Sequence, residues 1–236
     1  HLKALRIQEE FLDAKHPDLA RSYNNLGCVY RNKGDYGRTE EFFLKALRIQ
    51  EEVFDAKHPH LALSYNNLGL VYYGKGDYRR AEKFCFKALR IREKVLDAKN
   101  PDLALSYNAL GSIYYVNRDY CRAEEFHLKA LRIQEEIIDA KHPDLGISYS
   151  NLGNVYISKR DFRRAEEFHL KPLRIQEEVL GAKHPDLLLS YSNLGSVYRY
   201  KGDFGRAEKF YLKALLIQEE VLDAKHIDLA ILYNNL

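Results

Sequence analysis

The chain has 236 residues, of which 46% are hydrophobic and 30% are charged, so it can build a sizeable core and is far from a disordered composition. Its 37 basic and 34 acidic residues nearly balance, which gives no compositional basis for nucleic-acid binding. No apolar run approaches the roughly 18 residues of a membrane helix, and the three cysteines lack the spacing of a disulfide framework or a zinc site. We therefore expect a cytoplasmic protein that binds neither membrane nor nucleic acid.

A repeat of 42 residues runs through the whole chain. "SYNNLGCVYR" begins at residue 22, "SYNNLGLVYY" at 64 and "SYNALGSIYY" at 106. The period divides the chain into five full repeats and a partial sixth, which are 1–42, 43–84, 85–126, 127–168, 169–210 and 211–236. Such a period is typical of a repeat architecture, so we treat 1–236 as one repeat domain. Because the last repeat stops half-way and the sequence holds no methionine, we expect a fragment of a longer array.

Each repeat predicts two helices, taken here in chain order. The first opens at H-P-D-L-A, where Pro17 suits the first helical turn, and it stops at the glycine of N-K-G-D, Gly34. The second runs from D-Y-x-R-A-E-E through L-K-A-L-R-I-Q-E-E-V-L. Apolar residues of a first helix recur at the spacing of one helical face: Leu61, Tyr65, Leu68, Val71 and Tyr72. Because one pair cannot bury both its faces, stacking on neighbours must complete the core, and this predicts an all-α, right-handed α-solenoid of antiparallel helix pairs.

The packing positions carry a recognisable motif. Tyr65-x-x-Leu68-Gly69-x-x-Tyr72, followed by Gly76, Tyr78, Ala81 and Ala88, resembles the tetratricopeptide repeat in every repeat of the chain. The 42-residue period is most similar to the long variant found in kinesin light chains. This resemblance implies a superhelix whose first helices line a concave groove, and a groove that holds a protein segment. Glycine inside a helix costs about 1 kcal/mol relative to alanine, so we expect Gly69 to let two helices approach closely.

The side of the first helix opposite to this motif predicts the binding surface. An asparagine persists there as Asn25, Asn67, Asn151, Asn193 and Asn235, with Ala109 as the exception. Aliphatic residues flank it at Leu63, Leu105, Ile147 and Leu189, and more variable places hold Leu70, Asn154 and Tyr200. An amide both donates and accepts, so a row of asparagines can bond the backbone of a peptide. Two alternatives remain open: each asparagine bonds an adjacent helix, or it is copied by recent duplication.

Other patterns predict structure rather than chemistry. His16 and its counterparts in the inter-repeat turns are expected to bond turn backbone, and His127 and His169 to be packing residues. The glutamates of Q-E-E and R-A-E-E are interpreted as solvated ion pairs with nearby Lys and Arg. Pro172 replaces a mid-helix alanine and predicts a kink or a lost hydrogen bond near His169. No phosphate loop, nucleophile elbow or metal-ligand motif is present, so we expect no enzyme, no cofactor and no metal.

The sequence thus predicts a non-catalytic scaffold that binds an extended or helical protein segment in the groove. One alternative is a structural spacer, or a rod that self-associates end to end through its incomplete terminal repeats. Another is the sensor arm of a signalling ATPase, which only flanking sequence would reveal.

Overall fold

The computed structural model describes residues 2–139, 142–180, 184–185 and 187–221, and these residues are arranged as stacked antiparallel helix pairs. The described helices are α1 (Leu2–Phe11), α2 (Pro17–Asn32), α3 (Tyr36–Val53), α4 (Pro59–Gly74), α5 (Tyr78–Val95), α6 (Pro101–Val116), α7 (Tyr120–Ile137), α8 (Pro143–Ser158), α9 (Phe162–Leu180), α10 (Leu187–Tyr200) and α11 (Phe204–Val221). None of them is long and apolar enough to cross a membrane. Asn235 and the rest of 222–236 lie outside the described residues.

The starts of the first helices follow the predicted capping chemistry. His16 precedes α2, and its Nδ1 accepts a hydrogen bond from the backbone N–H of Asp18 at 3.2 Å. His58 accepts in the same way, and Asn100 uses its Oδ1 for the bond at 2.9 Å. The interpretation of these histidines as turn-bonding residues is therefore confirmed for His16 and His58. Pro185 differs from the prediction, because it lies in the turn ahead of α10 and not in the first helical turn.

The turns between the two helices of a pair need a left-handed residue. Gly34 and Gly76 adopt φ of +74° and +76° there, as their position after the first helix requires. The same place is held by Arg118 with φ of 61° and by Arg160 with φ of 59°. The turn geometry is therefore retained where glycine is absent, at the steric cost that a side chain meets in this region.

The chain divides into two compact units, residues 1–119 (the N-terminal unit) and 120–236 (the C-terminal unit). Within the N-terminal unit α2 pairs with α3 and α4 with α5, and α3 and α5 also contact the next first helix. In the C-terminal unit α8 pairs with α9 and α10 with α11, while α9 contacts α10. The glycine of the motif allows this pairing: a Cβ on Gly69 would lie 2.4 Å from the Cys85 sulfur, and one on Gly27 would lie 2.4 Å from the Phe43 ring. The predicted close approach of the helices is confirmed.

The glutamate of R-A-E and its counterparts form contacts that the sequence interpretation missed. The Glu40 side chain is only 17% exposed, and it accepts a hydrogen bond of 2.7 Å from the Tyr72 hydroxyl of the following repeat. Lys75 and Arg80 of that repeat also pair with it. The arrangement recurs in the C-terminal unit at Glu124 with Tyr156, Lys159 and Arg164, and at Glu166 with Tyr198, Lys201 and Arg206.

The interpretation as solvated ion pairs was therefore wrong for these inner glutamates, Glu40, Glu124 and Glu166. It holds for the outer glutamates, since Glu41 pairs with Lys45 at 2.8 Å on an exposed face. The inner glutamates point instead at the next repeat, where a tyrosine hydroxyl and two cations meet them. These inner contacts tie consecutive repeats together inside each unit.

Pro172 lies within an unbroken helix. Helix α9 runs from Phe162 to Leu180 through the proline, so the substitution does not terminate it. Pro172 has no N–H to donate, and one bond of the helix is absent for that covalent reason. The residue facing it on α8 is Gly146, where a Cβ would lie 3.6 Å from the Pro172 Cβ. The three preceding repeats hold alanine in that place, as Ala20, Ala62 and Ala104, and the following repeat holds Leu188. The bulkier ring of Pro172 therefore faces the smallest of these residues.

Candidate functional site

The predicted aliphatic row lies on the solvent-exposed face of the first helices. Leu63 is 51% exposed and Leu105 is 58% exposed in the N-terminal unit. Ile147 and Leu189 are exposed to a similar extent in the C-terminal unit. A side chain of this type gains free energy when it leaves water, so each is available to a ligand. Within the N-terminal unit, Leu63 and Leu105 line one cavity together.

Four of the predicted asparagines lie in the described part of the chain, and there their side chains have no hydrogen-bond partner. Asn25 is exposed, and Asn67, Asn151 and Asn193 are half-buried. Among the described residues none of these four side chains makes a hydrogen bond, in contrast to the alternative that each bonds an adjacent helix. Their amide groups therefore keep both donor and acceptor capacity.

A second row of amides, one residue earlier, was missed from the sequence. Asn24 and Asn66 line cavities between first helices, and the Oδ1 atom of each is buried without a hydrogen-bond partner. Asn108 occupies the same place on α6 and lines the cavity beside Asn66. A buried amide atom without a partner costs free energy until a ligand or water satisfies it. The sequence did contain a signal for this second row, namely the Asn-Asn pairs at 24–25 and 66–67. Residue 66 shares one helical face with residues 69, 70 and 73, so it could have been assigned to the same surface.

The variable places differ in their surroundings. Leu70 is 40% exposed and lines the cavity between α4 and α6. Asn154 is half-buried on α8. Tyr200 is 52% exposed and stacks on Phe162 of the preceding repeat, with ring centroids 5.7 Å apart. Tyr200 thus belongs to a contact between repeats as well as to the exposed surface.

The cavity between α4 and α6, here called the central cavity, has a volume of about 340 Å³ and mostly apolar walls. Asn66, Leu70 and Tyr73 of α4 line one side, and Leu105, Asn108, Ala109 and Ser112 of α6 line the other. Cys85 of α5 lies at its floor beside Gly69. The places equivalent to Cys85 hold the larger side chains Phe43, His127, His169 and Tyr211, and Ala109 stands where other repeats hold asparagine. Two small residues therefore open this cavity.

A neighbouring cavity, here called the Arg92 cavity, has a volume of about 290 Å³. His60, Leu63 and Asn66 of α4 line it together with Asp102 and Leu105 of α6. Arg92 and Val95 come from α5, and Arg92 is only 5% exposed. Burial lowers the pKa of Arg92, although the Asp102 carboxylate acts in the opposite direction.

Three buried titratable groups of the described residues are held in their neutral forms. Burial raises the pKa of the Cys85 thiol to about 12, which suppresses the nucleophilic thiolate at neutral pH. Burial lowers the pKa of His127 and of His169 to about 4, so both imidazoles are uncharged at neutral pH. Within the described parts of the chain, no group of three or more His, Cys, Asp and Glu side chains is placed to hold a metal ion.

Comparison with known proteins agrees with this architecture. A model of the tetratricopeptide repeat family matches residues 1–52, 29–94, 65–136, 102–178, 161–215 and 186–236, which together span the chain. No curated protein matches the chain in sequence.

Several solved structures share this fold. A Podosopora anserina putative kinesin light chain with nearly identical TPR-like repeats superposes with a TM-score of 0.79 at 23% identity, over 89% of this chain and 99% of that one. BtubC (BKLC) from P. vanneervenii has a TM-score of 0.77 at 27% identity, over 89% of this chain and 83% of its own. The apo form of RapI has a TM-score of 0.74 at 19% identity, over 86% of this chain and 71% of its own. Because the family model covers all its repeats, the chain belongs to the tetratricopeptide repeat family.

Proposed function

We propose that this chain is a non-catalytic scaffold that binds an extended or helical segment of a partner protein in a concave groove lined by the solvent-exposed face of its first helices. Tetratricopeptide repeat domains are generally protein–protein interaction modules, which sets the class of ligand. The observation that carries the proposal is the pair of amides at Asn24 and Asn66, whose buried Oδ1 atoms have no partner in the cavities they line. A peptide backbone supplies N–H donors that such acceptors can bond.

The apolar part of the surface supports a peptide rather than a polar small molecule. Leu63, Leu70 and Leu105 surround the unpaired amides with exposed hydrocarbon. Sites with a few placed polar groups among apolar walls are typical of specific binding pockets. In this arrangement side chains of the segment fill the central cavity while its backbone bonds the asparagines.

The test is a selection of displayed peptides against the parent protein and against a variant with Asn24, Asn25, Asn66 and Asn67 all changed to Ala. We expect peptides that are enriched on the parent and lost on the variant, with circular dichroism showing equal helix content. Ala109→Asn is the matched control, since it restores the residue of other repeats while narrowing the central cavity. It should weaken peptides that insert a side chain there and leave the fold unchanged.

Two results would contradict the proposal. Enrichment that is equal on the parent and on the asparagine variant would place binding elsewhere. No enrichment on the parent would favour the structural spacer instead. In that case the asparagine rows would be products of repeat duplication.

A further inference from the structure

Arg92 differs from every residue at its place in the other second helices. Those helices hold glutamine there, as Gln50, Gln134, Gln176 and Gln218. Gln50 is buried and satisfied by a serine, because the Ser64 hydroxyl donates to its Oε1 at 2.5 Å. Ser148 and Ser190 donate in the same way to the next two glutamines. Arg92 therefore introduces a formal positive charge at a place that elsewhere holds a neutral amide.

The guanidinium of Arg92 is only partly satisfied. Its Nη1 donates to the Ser106 hydroxyl at 2.5 Å and to the Asp102 carbonyl oxygen at 3.2 Å. Both acceptors are neutral, and Arg92 forms no ion pair with any described residue. Its Nε and Nη2 groups make no hydrogen bond with the described residues. The Asp102 carboxylate acts on Arg92 without forming an ion pair. A buried charge without a paired opposite charge is unfavourable, and arginine stays protonated rather than neutralising itself.

Other residues near Arg92 also carry more positive charge than their counterparts in other repeats. Helix α5 carries seven basic and two acidic residues, whereas α3 carries three basic and four acidic residues. Lys94 stands where other second helices hold glutamate, and His60 stands where other first helices hold aspartate. Asp102 is the carboxylate facing the cavity, and it makes no ion pair with Arg92. The helix that carries Arg92 is therefore more basic than α3, and Asp102 is the one carboxylate among the residues that line the cavity.

We propose that the Arg92 cavity holds a glutamate or aspartate side chain of the bound segment, which pairs with the free edge of the Arg92 guanidinium. A carboxylate matches that planar edge with two parallel hydrogen bonds. Leu63, Val95 and Leu105 form apolar walls that suit the methylene stem of such a side chain. An internal side chain is favoured over a free C-terminus because the surface with unpaired amides extends beyond this cavity: Asn66 lines the cavity itself, and Asn24 lies on the neighbouring first helix.

The consequence is a fixed register. In an array of nearly identical repeats, a bound segment finds similar contacts after every shift by one repeat. A single buried charge that occurs once breaks this equivalence, because only one alignment places the carboxylate on Arg92. This inference rests on the proposed function and adds the residue type that the ligand must carry and its position.

The test uses peptides selected on the parent, synthesised with acetylated N-termini and amidated C-termini so that all their carboxylates are side chains. We expect the selected sequences to share one glutamate or aspartate among apolar residues. Replacing that residue by its amide should weaken binding to the parent by about tenfold or more. The same replacement should have little effect on the Arg92→Gln variant, which carries the glutamine of the other repeats and should fold normally.

Two further variants extend this double-mutant cycle. Asp102→Asn removes the competing carboxylate and should tighten binding of the acidic peptide several-fold. Gln50→Arg places a second guanidinium in the cavity lined by Asn24 and His60, and it should create a second register for the same peptide.

The outcomes separate the two proposals. If peptides are selected without an acidic residue and bind Arg92→Gln as tightly as the parent, the carboxylate inference is overturned and the proposed function stands. If binding requires a free C-terminal carboxylate, the side-chain assignment is overturned. If the parent selects no peptide at all, both proposals fall together.

Discussion

Replacing His169 with phenylalanine is expected to stabilise the protein, and to do so more strongly in mild acid. His169 is 1% exposed, and its ring packs over Gly153, where a Cβ would lie 2.4 Å from Nε2. Both ring nitrogens are buried without a hydrogen-bond partner. Burial lowers the pKa of His169 from 6.5 to about 4.

The magnitude follows from the two pKa values. Because the folded state binds fewer protons than the unfolded chain, its stability falls as the pH drops below about 6.5, and this loss is complete below about 4. Between about pH 7.5 and pH 5 the loss amounts to about 2 kcal/mol. At both of these pH values, the unpaired ring nitrogens lower the free energy of unfolding by about a further 1–3 kcal/mol. Phenylalanine removes both costs, and Phe43 already occupies the same place over Gly27.

The assay is urea-induced unfolding followed by circular dichroism at about pH 7.5 and about pH 5. The free energy of unfolding of His169→Phe should exceed that of the parent at both values, by about 2 kcal/mol more at the lower one. Phe43→His is the reciprocal control, since it should make the N-terminal unit sensitive to acid. Parallel pH profiles for His169→Phe and the parent would refute the reasoning, because they would mean that His169 does not titrate between the two states.

Three further changes test the packing. Pro172→Ala should raise the free energy of unfolding by about 2 kcal/mol, since the roughly 3 kcal/mol helix penalty is partly offset by the space left opposite Gly146; no gain in chemical denaturation would contradict this. Glu166→Gln should destabilise by about 1–2 kcal/mol, because the carboxylate accepts from Tyr198 and Lys201. Burial alone would raise the pKa of Glu166, but these hydrogen bonds hold it below 4.5. The difference in stability between the parent and Glu166→Gln should therefore shrink as the pH falls through the pKa of Glu166. Arg160→Gly should stabilise by about 0.5–1 kcal/mol by removing left-handed strain, and a lower melting temperature would count against it.

The repeat, its helices and its packing face followed from the sequence because they depend on short-range rules. The 3.6-residue period selects the face that Tyr65, Leu68 and Tyr72 share, and Pro59 and Gly76 mark the two ends of the helix. The packing of Gly69 was likewise predictable, since a glycine that recurs within a helix needs a close neighbour. The exposed aliphatic row that includes Leu63 followed from the same helical geometry.

What the tertiary structure decided concerns contacts between different helices. The sequence treats Glu40 and Glu41 alike, but only the placement of the next repeat brings Tyr72 and Lys75 against Glu40 and leaves Glu41 exposed. Helical periodicity identified the face of Asn67, yet the cavity beside Asn66 depends on α6 and on the small Cys85 beneath it. The same holds for Arg92: the sequence shows that it replaces a glutamine, but only the structure shows that it is buried. Its free energy depends on whether an opposite charge lies within a few ångströms, and that distance is set by three helices rather than by one.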